Sequence, residues 1–176
     1  GAMSLVTRSY VRTMARYNAW QNKGLRKALQ AMPEAELTRD RGAFFGSILG
    51  TANHLLWGDL MWMSRFDGGE APAAGIAGSP TLCATVMEWE TLRYRTDGRI
   101  RAWAERLREV DLAGDLTWYS GAAGREVSRP LGLCVAHFFN HQTHHRGQVH
   151  AMLTAAGAAP GDTDLFMLPE DVPEWH

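Results

Sequence analysis

Between positions 82 and 110 the residues Leu82, Val86, Trp89, Arg93, Thr96, Ile100, Trp103, Leu107 and Val110 fall alternately four and three apart. Such a spacing keeps one narrow seam of a helix turned toward neighbours that lie nearly parallel to it, which directs the chain to a helical bundle. Three further segments carry helical periodicity. Residues 7–32 place Tyr10, Met14, Tyr17, Leu25, Leu29 and Met32 on one side and stop before Pro33. A segment starting between positions 43 and 47 and ending at 66 carries Ile48, Ala52, Leu55, Leu56 and Met63, with Asp67-Gly68-Gly69 as its stop. Residues 131–156 are bracketed by Pro130 and Gly157. Helices of about 20 to 26 residues are roughly 30 to 40 Å long at 1.5 Å per residue, matched as a bundle requires. The predicted fold class is therefore all-α, a four-helix bundle.

The connections are legible too. Residues 34–41 are polar, and 68–78 are rich in Gly, Ala and Pro without periodicity, a long surface connection. Ser79-Pro80 reads as the cap and first turn of the third helix. Residues 115–120 and 125–129 flank Gly121-Ala122-Ala123-Gly124 and predict a small β-hairpin before the last helix. Residues 157–176 contain Pro160, Pro169 and Pro173 and are expected to be irregular, with Leu165 to Leu168 laid onto the helices. Since 176 residues suffice for one core and not two, a single domain spanning 1–176 is expected, with Gly1 and Ala2 ahead of Met3 as a cloning scar.

Lys plus Arg number 18 against 19 Asp plus Glu, so the chain lacks the positive field that a nucleic-acid backbone demands. Arg8, Arg12, Arg16, Lys23, Arg26 and Lys27 accordingly read as a solvated helix face. No apolar run is long enough to cross a bilayer. Cys83 and Cys134 form no Cys-x-x-Cys pair, which excludes a disulfide framework and a cysteine-based zinc site and fits a reducing cytoplasm.

Five of the seven histidines fall between positions 137 and 150: His137, His141, His144, His145 and His150. Residues four apart on a helix lie on one face about 6 Å apart along the axis, so His141 and His145 can aim at a single cation, as can His137 and His141. The seam Cys134, Phe138, His141, His145, Gln148 and Met152 favours the first pair. Polar side chains at core positions cost about 1 to 3 kcal/mol each when unsatisfied, and a metal would offset this. Elsewhere, His54 lies midway along the second helix with small neighbours Gly50, Thr51 and Gly58. The predicted site is thus His54, His141 and His145, three neutral nitrogen donors that leave a divalent ion, zinc or nickel, with open positions. Spacing alone leaves open a set of hydrogen-bonded core histidines. Gly147, costly inside a helix, suggests that a backbone or ligand comes close there.

Asn53-His54, Trp57 and Asp59, together with the run from Asn140 through His141, His144, His145, Arg146 and Gly147 to Gln148, resemble the DinB family of metal-binding four-helix bundles, the damage-inducible proteins rather than the polymerase of that name. The resemblance covers most of the chain and implies His54, His141 and His145 as ligands. It also implies an up-down-down-up bundle and a homodimer. The wider superfamily includes thiol-dependent S-transferases and an isomerase that activate a low-molecular-weight thiol with a divalent cation.

The favoured expectation is metal-dependent transfer of such a thiol to a small electrophile, with a small molecule, not a nucleic acid or membrane, as partner. Metal coordination favours the thiolate of a group that otherwise ionises near pH 8.5. Asn53 or Asp59 could orient a ligand, Gln148 could hydrogen-bond a ligand or substrate, and Trp57 and Trp62 could line a pocket above the metal. Trp118 is a further candidate for that lining, Arg146 is expected to face solvent, and Cys134 is expected to fill the core. The alternatives are a non-catalytic metal or small-molecule binding protein of the stress response and a metal-dependent hydrolase. No His-Glu-x-x-His run is present, which disfavours a protease of that type. Acidification to about pH 5 is expected to release the metal, because protonated histidine cannot ligate.

Overall fold

The computed structural model describes residues 4–170; positions 1–2, expected to be a scar, and the end of the tail with Pro173 lie outside the described residues. The long helices are α1 (Arg8–Gln30), α3 (Ile48–Asp67), α4 (Val86–Arg106) and α5 (Leu131–Ala155), joined by the short α2 (Glu34–Thr38) and by a hairpin of β1 (Asp115–Ser120) and β2 (Arg125–Pro130). Three of the four long helices start at a side-chain cap; α5 starts after Pro130 without one. The side chains of Thr7, Ser47 and Thr85 accept from the backbone N–H groups of Tyr10, Gly50 and Glu88, satisfying donors that the first helical turn leaves free. The end of α3 is set by Gly68 at φ 71°, a left-handed conformation that a side chain would resist.

Three boundaries differ from the sequence expectation, one of them the end of α4 at Arg106, short of Val110, where Leu107 turns extended. The polar stretch after Pro33 closes into one helical turn, α2, which buries Leu37. Ser79 and Pro80 lie in a 3-10 turn (Ile76–Thr81), and α4 begins only after Thr85, because the Ser79 hydroxyl is engaged with His54 rather than with a helix end. The tail is also held differently. Phe166 is 87% exposed, and Leu165 and Met167 are exposed as well, so the segment is not an apolar patch on the helices. It is strapped down by polar contacts instead: Tyr17 donates to the Thr163 carbonyl, Gln21 to that of Asp162 at 2.8 Å and Arg16 to that of Pro169 at 2.6 Å.

Cross-helix contacts fix the topology. Trp89 donates to the Ala52 carbonyl, Arg93 pairs with Asp59 and Arg99 with Asp67, so α3 and α4 run in the same direction. Arg26 lies over Tyr94, Asn18 meets Asp97 and Arg12 meets Glu105, so α1 and α4 oppose each other. Tyr10 packs on Phe139 and Arg146 reaches Asn18, so α1 and α5 are parallel. The order is up-down-down-up, and the connection between α3 and α4 must return along the bundle. No helix among the described residues is long and apolar enough to cross a membrane.

The core is split in two by a polar layer. One apolar cluster holds Val11, Met63, Ile100, Trp103, Phe138 and Phe139; the other holds Leu25, Leu29, Leu56, Trp89, Val149 and Leu153. Between them on the four helices lie Asn18, Asn22, Asp59, Arg93, Asp97, Gln142 and Arg146, all buried. Arg93, fully buried, bonds Asp59 at 2.6 Å and Asp97 at 2.7 Å. Asn18 and Asn22 each donate to Asp97 at 3.0 Å, Gln142 donates to Asp59 at 3.1 Å and Arg146 donates to Asn18 at 2.8 Å. Arg93 was a seam residue in the sequence and meets buried carboxylates. Arg146, expected at the surface, is instead buried, its guanidinium also lying over Tyr17. Two arginines and two aspartates make the layer formally neutral, which is how it tolerates burial. Replacing Arg93 with Met would strand Asp59 and Asp97, and the expected loss is about 3 to 5 kcal/mol of unfolding free energy. Urea denaturation of the variant measures it, and a loss below about 1 kcal/mol, the scale of an exposed pair, would mean that the layer is wet.

Candidate metal centre

α3 and α5 are antiparallel, with His54 opposite His145 and Gly58 opposite His141. A Cβ at position 58 would sit 2.6 Å from His141 Cε1, so the glycine is what admits the imidazole between the helices. Gly147 has no such role: nothing lies within 4 Å of where its Cβ would be, and the close approach suspected there belongs to Gly58. The side of α5 that enters the core is wider than the expected seam. Val135, Phe139, Gln142, Arg146, Val149 and Leu153 are buried beside Cys134, Phe138 and His145, while His141, Gln148 and Met152 are only half-buried at the edge. The helix packs against both α1 and α3, and two neighbours cover two rows of side chains.

The three rings converge. One nitrogen from each of His54, His141 and His145 lies within 4.8 Å of the others, and the ring centroids are 4.4 Å apart for His141 and His145, 4.6 Å for His54 and His145 and 5.6 Å for His54 and His141. The remaining polar contacts suit ligation. His54 Nδ1 is 2.8 Å from Ser79 Oγ, and His145 Nδ1 is 2.9 Å from Gln148 Oε1, an acceptor that selects the tautomer protonated at Nδ1 and leaves Nε2 with a free lone pair. His141 Nδ1 is buried with no hydrogen-bond partner among the described residues. An orphaned ring nitrogen beside two oriented imidazoles is a donor set that a divalent cation could complete.

Electrostatics keep the triad neutral. Burial, with the neighbouring His145, lowers His54 to about 4. Burial, followed by His145 and then His54, lowers His141 to about 3. Burial also lowers His145, against the pull of Gln148. Neutral imidazole is the form that binds metal.

The other anticipated residues are dispersed. Gln148 holds His145 as described. Asn53 turns to the long connection, donating to the carbonyls of Pro80 at 2.9 Å and Cys83 at 3.0 Å. Asp59 belongs to the polar layer and hydrogen-bonds Arg93 and Gln142, not a histidine. Trp57 stacks toward His54 at 6.1 Å and donates its indole N–H to the Ala74 carbonyl. Trp62 packs against His137 at 5.3 Å and Trp118 at 5.5 Å. His137 in turn lies 5.6 Å from His141, and His144 lies 4.8 Å from His145, both exposed and outside the triad. Cys134 is buried, as a small core residue should be.

Two contributors escaped the sequence reading. Phe45 stacks on His54 with centroids 3.8 Å apart at 15° and meets His145 edge-on at 5.6 Å, closing one side of the triad. Its signal was an aromatic pair, Phe44-Phe45, bracketed by Gly42 and Gly46. Ser79 reads in the sequence as a helix cap, and nothing there ties it to a histidine 25 positions away.

Fold and centre together define an up-down-down-up four-helix bundle whose histidine triad, set between antiparallel helices, could bind a metal ion. The model of the DinB family matches residues 3–174, and the chain belongs to that family. It is 29% identical over 160 residues to Protein DinB of Bacillus subtilis (strain 168), a match covering 86% of this chain and 91% of that protein.

The lowered values revise the pH expectation. At pH 5 the metal-free protein should keep His54 and His141 neutral, so competition from protons at these two rings sets in only at lower pH. In the unfolded chain the same rings titrate near 6.5. Between about pH 6.5 and 4 the unfolded state therefore binds more protons than the native one, and stability falls as pH falls across that window. Histidine NMR titration of the metal-free protein checks the first point; a midpoint near 6.5 for either ring would show it to be hydrated.

Proposed function

We propose that the protein is a metal-dependent enzyme in which His54, His141 and His145 hold a divalent cation, zinc or nickel, and a low-molecular-weight thiol is activated there for transfer to a small electrophile. The observation that carries the reading is the convergence of three neutral imidazoles, one of them with a buried, unpartnered nitrogen. When bound, such a cation supplies positive charge that favours a thiolate at neutral pH.

The chain's own groups prepare that position. Ser79 and Gln148 fix the orientation of His54 and His145 from behind. Phe45 covers one face and keeps water off it. Gly58 leaves the space that the His141 ring fills. One carboxylate that could serve hydrolysis is already engaged. Activated water needs a group to take its proton, and the carboxylate nearest the triad in sequence, Asp59, is already held by Arg93 and Gln142.

Metal analysis of the purified protein should find one divalent ion per chain. His141→Ala and His145→Ala should each remove it on dialysis while the far-ultraviolet circular dichroism stays helical. Gln148→Ala should weaken binding about 10- to 100-fold, the usual effect of losing a group that orients a ligand. Unchanged metal content in the two histidine variants would defeat the assignment. A screen of cellular thiols against electrophilic acceptors then tests turnover, and tight metal binding with no turnover of any pair would favour a non-catalytic binding protein.

A further inference from the structure

Arg65, near the end of α3, carries a cation with aromatic neighbours and no anion. Its guanidinium lies 4.6 Å over the Trp62 ring and 5.1 Å over the Trp118 ring. It makes no hydrogen bond or ion pair among the described residues, whereas Arg93, Arg99 and Arg41 each meet a carboxylate. Burial lowers its affinity for a proton and the Cys134 thiol opposes this; no carboxylate acts on it. Stacking occupies the faces of a guanidinium and leaves the in-plane N–H fork for a planar acceptor.

The position of this fork relates it to the triad. Residues 54 and 65 are eleven apart, three helical turns and about 20° of rotation, so His54 and Arg65 share one side of α3 about 16 Å apart along the axis. A long helical side chain leans toward the N-terminus, here toward His54. The interval is bridged by rings in contact, Trp62 on His137 at 5.3 Å and His137 on His141 at 5.6 Å. Trp62, Arg65 and Trp118 are half-exposed and His137 is exposed, so the corner is reachable from solvent.

We propose that Arg65, framed by Trp62 and Trp118, is a carboxylate-binding subsite, and that the small molecule handled at the triad carries a carboxylate remote from its reacting end. What occupies the other end rests on the metal-centre reading; the anion subsite itself does not.

The test uses a graded series of ω-mercapto carboxylic acids and their matching amides. With cobalt(II)-loaded protein, thiolate-to-cobalt absorption reads binding at the triad. With metal-free protein, the indole N–H resonances of Trp62 and Trp118 read binding at Arg65. Once the chain is long enough to span the interval, each acid should bind the loaded protein about tenfold or more tightly than its amide, the scale of a charge-assisted hydrogen bond. Arg65→Met should erase the preference with cobalt affinity unchanged, and Arg65→Lys should keep part of it. Equal binding of acids and amides, or a preference that survives in Arg65→Met, overturns the proposal. Failure to bind cobalt would defeat the metal centre alone. The metal-free arm still decides Arg65, supported by indole shifts with acids only and overturned by their absence.

Discussion

A fully buried guanidinium held between two carboxylates organises this bundle. Arg93 projects from α4 into the middle of the molecule, where it has no water to fall back on, and it meets Asp59 of α3 and Asp97 of its own helix. Apolar packing tolerates sliding of one helix past another by a fraction of a turn, because many side chains fill similar volumes. A buried ion pair does not, since displacement by an ångström or two leaves charge uncompensated in a medium that penalises it. The asparagines of α1 and the Gln142 and Arg146 side chains of α5 extend the same constraint to all four long helices.

The histidine triad inherits its alignment from this layer. Asp59 follows Gly58 in α3, and Gln142 and Arg146 each follow a triad histidine in α5. The hydrogen bond between Gln142 and Asp59 therefore sets the axial register that puts His141 against the bare backbone at position 58. Hydrophobic matching alone could not place three rings around a common point within the tolerance of a coordination sphere.

The helices and the triad were legible because both are periodic. The four-three seam is the buried one over the middle of α4, with Trp89, Arg93, Thr96, Ile100 and Trp103 inside, but Leu82, Leu107 and Val110 lie beyond the helix and Val110 is exposed; the four-residue interval of His141 and His145 needed only an antiparallel partner. The roles of Asn53, Asp59 and Arg146 were not legible. Whether a polar side chain turns toward a neighbouring histidine or toward the bundle axis differs by about 100° of helix rotation, one residue, and sequence spacing fixes the stripe to no better than that. The polar layer did leave a trace. Asn18 and Asn22 lie four apart on the inner side of α1, and Arg93 and Asp97 four apart on α4; read together they are a buried network, read singly they are unremarkable polar positions. Phe45 and Ser79 lie in segments without periodicity, and their contacts with His54 follow from long-range closure that no local pattern encodes.

A parallel pair of consecutive helices obliges the chain to travel back along the bundle before starting again, and the stretch after α3 does so by a long irregular path that holds only a 3-10 turn. That detour passes the triad, where it donates Ser79 to His54 and the Ala74 carbonyl to Trp57, while Asn53 clamps it to α3. A segment demanded by topology thus doubles as an adjustable wall. Apart from Leu82 and Cys83, which pack on one of the two apolar clusters, that wall stands outside the interhelical contacts of the core, so that the scaffold and the fine setting of the histidine triad are written largely in separate parts of the chain.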